Sequence, residues 1–405
     1  MITLSPARSN EIERLIAIHS ASFPNPLGFP ERRANFMDNP RGPLSDLHVA
    51  RNGKGDIVGH GFLFRTRTFI LGGEVQVGAV ASVGVASEAR GGGVARALLH
   101  GLLDESERRG DALQLLYPFS YAFYASLGFG HVSPLVRLRT PCRSLPHRGE
   151  GKRCRRATTD DNAAIAVTYA AAAARENGLI TRSDAVFAKY LNAPGVMKFV
   201  VEGELGLRGY VSFVFVERHD VGEVELHVRE LVALDDDARR ALIGVVAAHR
   251  DQVTNVELTL LPDDPLPMLV EEPRAPREPF VPGHLHPLGA LAAGPMVRAV
   301  DVRSLLLSRG YRNDGALDLR VVDPRKGTIA LRLEVRDGVG KASESPSGSE
   351  HALEVDVGAF SSIAVGALRP SDASRHGRLH GSPASLAVAD RLFATGAPFR
   401  CLDEF

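Results

Sequence analysis

The first third of the chain alternates between helical and strand-like spacing of its apolar residues. Residues 12–23 place apolar side chains at helical intervals, and Asn10 stands where it can cap that helix. Residues 47–85 follow the two-residue period of strands, with a hairpin turn at Asn52 and Gly53. A helical stretch over residues 94–109 and a further apolar strand come next. We expect a mixed α/β domain that ends near residue 140.

The middle of the chain repeats this order in a weaker form. A basic linker (residues 141–157) lacks interleaved aromatic residues, so we interpret it as a solvated connection and not as a nucleic-acid site. A second capped helix and further strands follow. At the next turn from strand to helix stand Asp235, Asp236 and Asp237. Carboxylates there already satisfy the helix dipole and would repel a phosphate group.

The last part begins after a proline-rich connector, residues 261–287. The spacing predicts a helix over residues 297–307, then alternating strands, a flexible Gly/Ser-rich loop over residues 342–350 and a final helix over residues 385–395. His284 and His286 lie in the connector, but no cysteine or acidic partner stands at ligand spacing, so we expect no metal site.

Composition limits the classes of protein that fit. The 405 residues are too many for one ordinary core, and 44% hydrophobic with 24% charged residues is typical of a globular protein. Acidic and basic residues balance at 48 each, so no net field attracts nucleic acid or an anionic membrane. Three cysteines without metal or redox spacing indicate reduced thiols and a cytoplasmic location. No apolar run reaches the roughly 20 residues of a membrane span.

A glycine-rich link joins the strand that carries Val83 and Val85 to the helix beginning at Val94. Consecutive glycines let backbone N–H groups converge on an anion, and the positive end of the helix points to the same place. A tight turn without a ligand is the alternative. The link has neither the Rossmann spacing nor the Gly-Lys-Ser/Thr of a Walker loop. It resembles the acyl-coenzyme A loop of the GCN5-related N-acetyltransferases (GNAT). By this resemblance, the cofactor-binding residues are Val83, Val85, Arg90, Gly91, Gly93, Val94 and Ala95.

A second motif of that family follows at the required distance. Phe123 and Tyr124 precede Gly128 and Phe129, an arrangement similar to the family's fourth motif. In the family, the tyrosine of this motif protonates the departing thiolate, which implies that role for Tyr124. A core tyrosine packed under the sheet is the alternative interpretation.

The order of domains resembles the Eis family of GNAT enzymes over the whole chain. The resemblance implies a catalytic GNAT domain (residues 1–140), a degenerate GNAT-like domain with its connector (155–290) and a sterol-carrier-like α+β domain (291–405). In this family the C-terminal carboxylate reaches the active site, which implies a catalytic role for Phe405. Gly91 and Gly92 replace arginines of the mycobacterial members, and Ser82 replaces an aromatic residue.

The function implied is an acetyl-CoA-dependent N-acetyltransferase acting on primary amines of cationic small molecules such as aminoglycosides, by direct transfer in a ternary complex. The resemblance also implies a homo-oligomer, a hexamer. A protein lysine acetyltransferase is the alternative acceptor class, and a lipid-binding protein acting through its last domain is the alternative of another class. Asp403, Glu404 and the Phe405 carboxylate together offer negative charge to a polycationic acceptor; a frayed acidic tail is the alternative.

Overall fold

The computed structural model describes residues 2–219, 222–274, 282–283, 285–345, 352–403 and 405. The chain forms two compact units. Unit 1 contains the stretch that ends at Val132, the short segment Glu176–Arg182, and Gly294–Phe405. Unit 2 contains Ser133–Arg175 and Ser183–Ala293.

The described residues form strands and helices along the whole chain. The strands are β1 (Thr3–Pro6), β2 (Leu47–Arg51), β3 (Ile57–Ile70), β4 (Gly73–Val85), β5 (Leu113–Leu116), β6 (Gly130–His131), β7 (Leu135–Pro141), β8 (Cys154–Arg156), β9 (Met197–Gly203), β10 (Gly206–Arg218), β11 (Glu223–Ala233), β12 (Asn255–Leu260), β13 (Gly289–Ala292), β14 (Met296–Ala299), β15 (Gly315–Asp323), β16 (Gly327–Arg336), β17 (Val339–Glu344), β18 (Leu353–Asp356) and β19 (Leu379–His380). The α-helices are α1 (Ile12–Ser22), α2 (Phe29–Met37), α3 (Val94–Arg109), α4 (Tyr121–Ala125), α5 (Asn162–Ala173), α6 (Asp184–Leu191), α7 (Asp236–Ala247), α8 (Val302–Ser308), α9 (Val357–Ala364), α10 (Pro370–Arg375) and α11 (Pro383–Leu392).

The first sheet of unit 1 has the order β1-β2-β3-β4-β5-β14-β6. Strands β4 and β5 are parallel, and α3 connects them. Neighbouring residues of a strand point to opposite faces. Accordingly Phe62 and Ala81 pack with helices α1 and α2, whereas Leu63 and Val80 pack with α3. The sheet therefore has a hydrophobic core on both faces.

Strand β14 corrects one prediction. We expected a helix from residue 297, but Met296–Ala299 is a strand that pairs with β5, and helix α8 begins only at Val302. Arg298 stands opposite Gln114 in this pairing, and Arg298 is buried against Asp323 of β15. A short apolar run has no distinguishing period, so its partner strand decides its conformation.

The second sheet of unit 1 has the order β17-β16-β15-β18-β19. Its apolar residues, such as Leu319 and Leu333, share one core with Leu113 of the first sheet and Phe360 of α9. Ala342 of the predicted flexible loop belongs to β17, while residues 346–350 of that loop lie outside the described residues.

Unit 2 contains one sheet of order β13-β7-β12-β11-β10-β9-β8. Residues 138–140, which we expected to close the first domain, lie in β7 and pair with β12 of this sheet. Strands β11 and β12 are parallel, and α7 connects them, as α3 connects β4 to β5 in unit 1. Unit 2 therefore repeats the connection of strand, helix and parallel strand that the sequence indicated.

Candidate active site

Strand β4 carries Val83 and Val85 beyond the end of its pairing with β5. The parallel ladder stops at Val80 opposite Leu116, whereas the pairing with β3 continues to Val85. Within the described ranges, the β5 side of the last β4 residues therefore has no strand partner. The Val85 carbonyl accepts from the Ser22 hydroxyl at 3.4 Å. The other backbone groups of this edge are available to hydrogen-bond an extended ligand.

A β-bulge lies at the point where β4 leaves β5. Strand β4 places Ser82 and Val83 together opposite Gly61 of β3. Ser82 has φ of 50°, in the left-handed region that a serine seldom adopts. Bulges bend a strand and redirect its side chains. Because β4 and β5 do not pair beyond Val80 and Leu116, we call the space between the carboxyl ends of these two strands the cleft.

The glycine-rich loop lies directly before helix α3. Gly91 and Gly93 have φ of 77° and 76°, and apart from its chain neighbours no described residue has an atom within 4 Å of a Cβ built at either glycine. No N–H group from Gly91 to Arg96 has a backbone acceptor in the described part of the chain. The first helical bond runs from the N–H of Ala97 to the carbonyl of Gly93, at 3.0 Å. The loop and the helix N-terminus thus present a group of free N–H donors, the arrangement that binds phosphate groups.

Arg90 fixes the loop to the preceding helix. Its guanidinium donates to the carbonyl of Ala21 at 2.8 Å, beside an ion pair between Arg14 and Glu88 at 2.6 Å. These contacts tie the start of the loop to helix α1. The donors directed to an anion are therefore chiefly the backbone amides of the loop, including those of Val94 and Ala95.

Tyr124 lies in helix α4 and is 2% exposed. Its ring contacts those of Phe119 and Phe129, with centroids 5.4 and 5.7 Å away. It belongs to the apolar cluster that also includes Val83, Val85 and Val94. Burial raises the pKa of its phenol above the ordinary value, so the group stays protonated at neutral pH. The fold thus brings Tyr124 to the end of β4 and the start of α3.

Phe405 lies at the same part of the first sheet. The ring of Phe405 lies 5.6 Å from that of Tyr117, which directly follows β5, and packs against the cluster that contains Phe62 and Ala79. The hydroxyl of Tyr117 donates to the carbonyl of Cys401 at 3.1 Å. Phe405 therefore lies beside the carboxyl end of β5, at the cleft.

Asp403 does not offer its charge to an acceptor, which corrects our expectation of an acidic tail that faces a polycation. Its side chain is buried, and it accepts from Arg182 at 2.7 Å and from Arg41 at 3.4 Å. Glu404 lies outside the described residues. Sequence patterns gave no signal for Arg182, which is 221 residues away from Asp403.

Two histidines lie on the opposite face of the first sheet from Tyr124. His60 is fully buried between the rings of His19 and Phe36, and neither of its nitrogens has a hydrogen-bond partner among the described residues. Nδ1 of His19 lies 2.7 Å from the guanidinium of Arg32. Burial lowers the pKa of His60 to about 3, and burial together with Arg32 lowers that of His19 to about 4. Both rings are therefore neutral at physiological pH.

In unit 2 the corresponding helix begins differently. The Asp235 carboxylate accepts from the N–H of Ala238 at 2.7 Å and pairs with Arg208. A carboxylate thus occupies the N-terminus of α7, the place that glycines hold before α3.

Comparison with known families and structures defines the class of this protein. Residues 3–132 match the family model of an acetyltransferase (GNAT) domain, residues 178–298 match a second acetyltransferase (GNAT) model, and residues 302–400 match a sterol carrier protein domain. The chain is thus built from two GNAT domains and a C-terminal sterol carrier domain, as the sequence predicted.

The Eis resemblance is confirmed by individual relatives. N-acetyltransferase Eis of Mycobacterium tuberculosis is 27% identical over 183 residues, which span 44% of this chain and 41% of the relative. Eis1 from Mycobacterium abscessus has a crystal structure with a TM-score of 0.79 over the full length of both chains, at 23% identity. A GNAT protein from Anabaena variabilis gives a TM-score of 0.85 at 21% identity, over 97% of each chain. These structural similarities show the fold.

The described residues contain neither a membrane-spanning helix nor a cluster of metal ligands. No helix there is long and apolar enough to cross a membrane. No group of three or more His, Cys, Asp or Glu residues there could hold a metal ion, and His284 of the proline-rich connector lies outside them.

Proposed function

We propose that this protein is an acetyl-CoA-dependent N-acetyltransferase that acts on primary amines. One observation carries the proposal: the free N–H groups of the glycine loop, the unpaired edge of β4 and the protonated Tyr124 meet at one cleft. In GNAT enzymes acetyl-CoA is the cosubstrate. Its diphosphate would bind the amides of Gly91, Gly93, Val94 and Ala95, with Arg90 holding the loop in place.

The end of β4 supports the acetyl donor in this proposal. Backbone groups of Val83 and Val85 would hold the pantetheine arm as an added strand would be held. One N–H of this edge would polarise the thioester carbonyl as negative charge develops on its oxygen.

Tyr124 would act as the general acid. Amide formation requires that the amine nitrogen bond to the acetyl carbon, that the carbon–sulfur bond break, and that the sulfur receive a proton. In water, the pKa of a phenol near 10 and that of a thiol near 8.5 differ by about 1.5 units, or roughly 2 kcal/mol, and burial of Tyr124 widens this difference. A hydrogen bond that shortens as charge builds on sulfur can offset a difference of that size.

The Phe405 carboxylate would position the acceptor. The pKa of a terminal carboxylate is near 3.5 and that of a lysine-like ammonium near 10.4. This difference of about 7 pKa units corresponds to roughly 9 kcal/mol in water. It would therefore orient the amine and pass its proton to water, and would not serve as a strong base. Transfer would be direct, because burial raises the pKa of the thiols of Cys142, Cys154 and Cys401 to about 12, 11 and 12, which leaves them protonated.

The proposed acceptors are cationic small molecules of the aminoglycoside type, on the strength of the Eis resemblance. Because Asp403 is paired within the protein, the attraction for such a cation would depend mainly on the C-terminal carboxylate. The same resemblance supports a homo-oligomer, a hexamer, and the unpaired cysteines support a cytoplasmic location.

Release of coenzyme A, followed with a thiol reagent, would test the proposal. Purified protein would be mixed with acetyl-CoA and with an aminoglycoside, a polyamine or a lysine-containing peptide in parallel. Amine-dependent release with the aminoglycoside is the expected result. Release with the peptide alone would favour a protein lysine acetyltransferase, and no release with any amine would refute the proposed activity.

A further inference from the structure

The segment Glu176–Arg182, which we call the strap, lies in unit 1 although the residues before and after it belong to unit 2. It pairs with β3 beyond the end of the β2–β3 ladder. Ile180 forms an antiparallel bridge with Thr68, and the N–H of Thr181 donates to the carbonyl of Arg67 at 2.8 Å. The Thr68 hydroxyl also donates to the carbonyl of Leu179 at 3.1 Å. The strap is therefore fixed by hydrogen bonds to the edge of the first sheet, with a single β-bridge at Ile180.

The other side of the strap contacts the C-terminal tail, by which we mean residues 400–403 and 405. The N–H of Arg400 donates to the carbonyl of Asn177 at 2.7 Å, and the Arg400 guanidinium pairs with Glu176 at 2.8 Å. Gly178 has φ of 101°, and a Cβ on it would lie 2.6 Å from the nitrogen of Arg400. Strap and tail are thus in backbone contact, at a distance that a larger residue would prevent.

Arg182, the last residue of the strap, binds Asp403 of the tail. Nε of Arg182 lies 2.7 Å from Oδ1 of Asp403, and Nη2 lies 3.1 Å from Oδ2. The two side chains are 7% and 1% exposed. Arg41 adds a contact at 3.4 Å to the same carboxylate, and its guanidinium carbon lies 5.9 Å from the centre of the Phe405 ring. A buried bidentate pair of this kind fixes the direction of the chain as well as its distance.

We propose that Arg182 is a positioning residue for acetyl transfer: by binding Asp403, it holds the Phe405 carboxylate at the cleft beside Tyr117. This inference depends on the proposed function for its catalytic consequence. The docking of the tail itself does not depend on it. Without Arg182, the buried Asp403 carboxylate loses the positive charge and hydrogen bonds that offset its burial. Detachment of the tail into water is then favoured.

Carboxypeptidase A digestion tests the docking without any assay of activity. We expect the C-terminal phenylalanine to be released at least about tenfold faster from Arg182→Ala than from the wild-type protein. Arg67→Ala is the matched control, because Arg67 pairs with Glu74 on the β3–β4 hairpin and its side chain is half exposed. Release at the wild-type rate from Arg182→Ala would overturn the proposal. If Arg182→Ala does not fold, Asp403→Asn removes the same charge pair and should give the same acceleration.

Steady-state kinetics tests the catalytic part. Arg182→Ala should lower kcat/KM for the amine about tenfold or more, with KM for acetyl-CoA within about twofold of wild type, and Arg182→Lys should recover part of the loss. In a chain that lacks Phe405, Arg182→Ala should not lower kcat/KM for the amine any further, because both changes remove the same carboxylate from the site. If the loss from Arg182→Ala instead multiplies the loss from removing Phe405, Arg182 acts by another route. A wild-type protein that acetylates no amine would refute the proposed function and leave the digestion result to decide the docking.

Discussion

Replacing Tyr124 by phenylalanine removes one hydroxyl and leaves the ring in its place among Phe119 and Phe129. No hydrogen bond joins that hydroxyl to a described residue, so the free energy of unfolding should change by less than about 1 kcal/mol. The change in rate then reports on proton donation alone.

The expected loss follows from the chemistry of proton transfer. A positioned general acid contributes about 10²- to 10⁴-fold to a rate. Burial raises the pKa of Tyr124, which makes its proton harder to donate, so we expect the lower end of that range. A fall in kcat of about 100-fold corresponds to roughly 2.7 kcal/mol of transition-state stabilisation.

Coenzyme A release at saturating acetyl-CoA and amine measures this change. Tyr121→Phe is the control, because Tyr121 lies in the same helix but donates to the carbonyl of Gly294 at 2.7 Å. That variant should lose about 1 kcal/mol of stability and keep its turnover. If Tyr124→Phe retains a kcat within about threefold of wild type, Tyr124 is not the general acid.

Three further changes test other parts of the account. Gly93→Ala places a Cβ at φ of 76°, which favours a relaxed loop over the observed one by about 1–2 kcal/mol. Acetyl-CoA affinity by calorimetry should therefore fall about 5- to 30-fold, whereas Gly53→Ala, in the open hairpin turn, should leave it unchanged. Asp235→Ala removes the cap of α7, so the free energy of unfolding in urea should fall by about 1 kcal/mol while turnover stays unchanged. A large loss of activity would instead give unit 2 a role in binding acetyl-CoA. His60 has a folded pKa of about 3 against an unfolded value near 6.5, so the unfolded chain binds the extra proton and stability falls as pH drops below about 6.5. At pH 4 this one group should lower the free energy of unfolding by about 3 kcal/mol relative to neutral pH, and His60→Gln should flatten that part of the pH–stability curve. An unchanged curve would contradict the lowered pKa of His60.

The local motifs were predictable because their chemistry depends on residues close together in sequence. Gly91 and Gly93 stand in a glycine-rich link directly before a helical stretch, and Tyr124 follows at the spacing of a known motif. The second GNAT domain was recognisable from its order of elements, and Asp235 from its position before α7.

The remaining features depend on contacts between distant parts of the chain. Strand β14 takes its conformation from β5, which lies far earlier in the sequence, and an isolated run of four apolar residues does not specify that pairing. The strap has no composition that distinguishes it from an ordinary loop, since its role depends on the free edge of β3 and on Asp403. The acidity of the tail was visible in the sequence, but the pairing of Asp403 with Arg182 and Arg41 was not.

A crystal structure of the protein with coenzyme A and an amine is the most direct test of the proposed active site. The account predicts the diphosphate on the N–H groups between Gly91 and Ala95, the sulfur within hydrogen-bonding distance of the Tyr124 hydroxyl, and the amine beside the Phe405 carboxylate. A diphosphate bound at another surface, or a sulfur far from Tyr124, would contradict it.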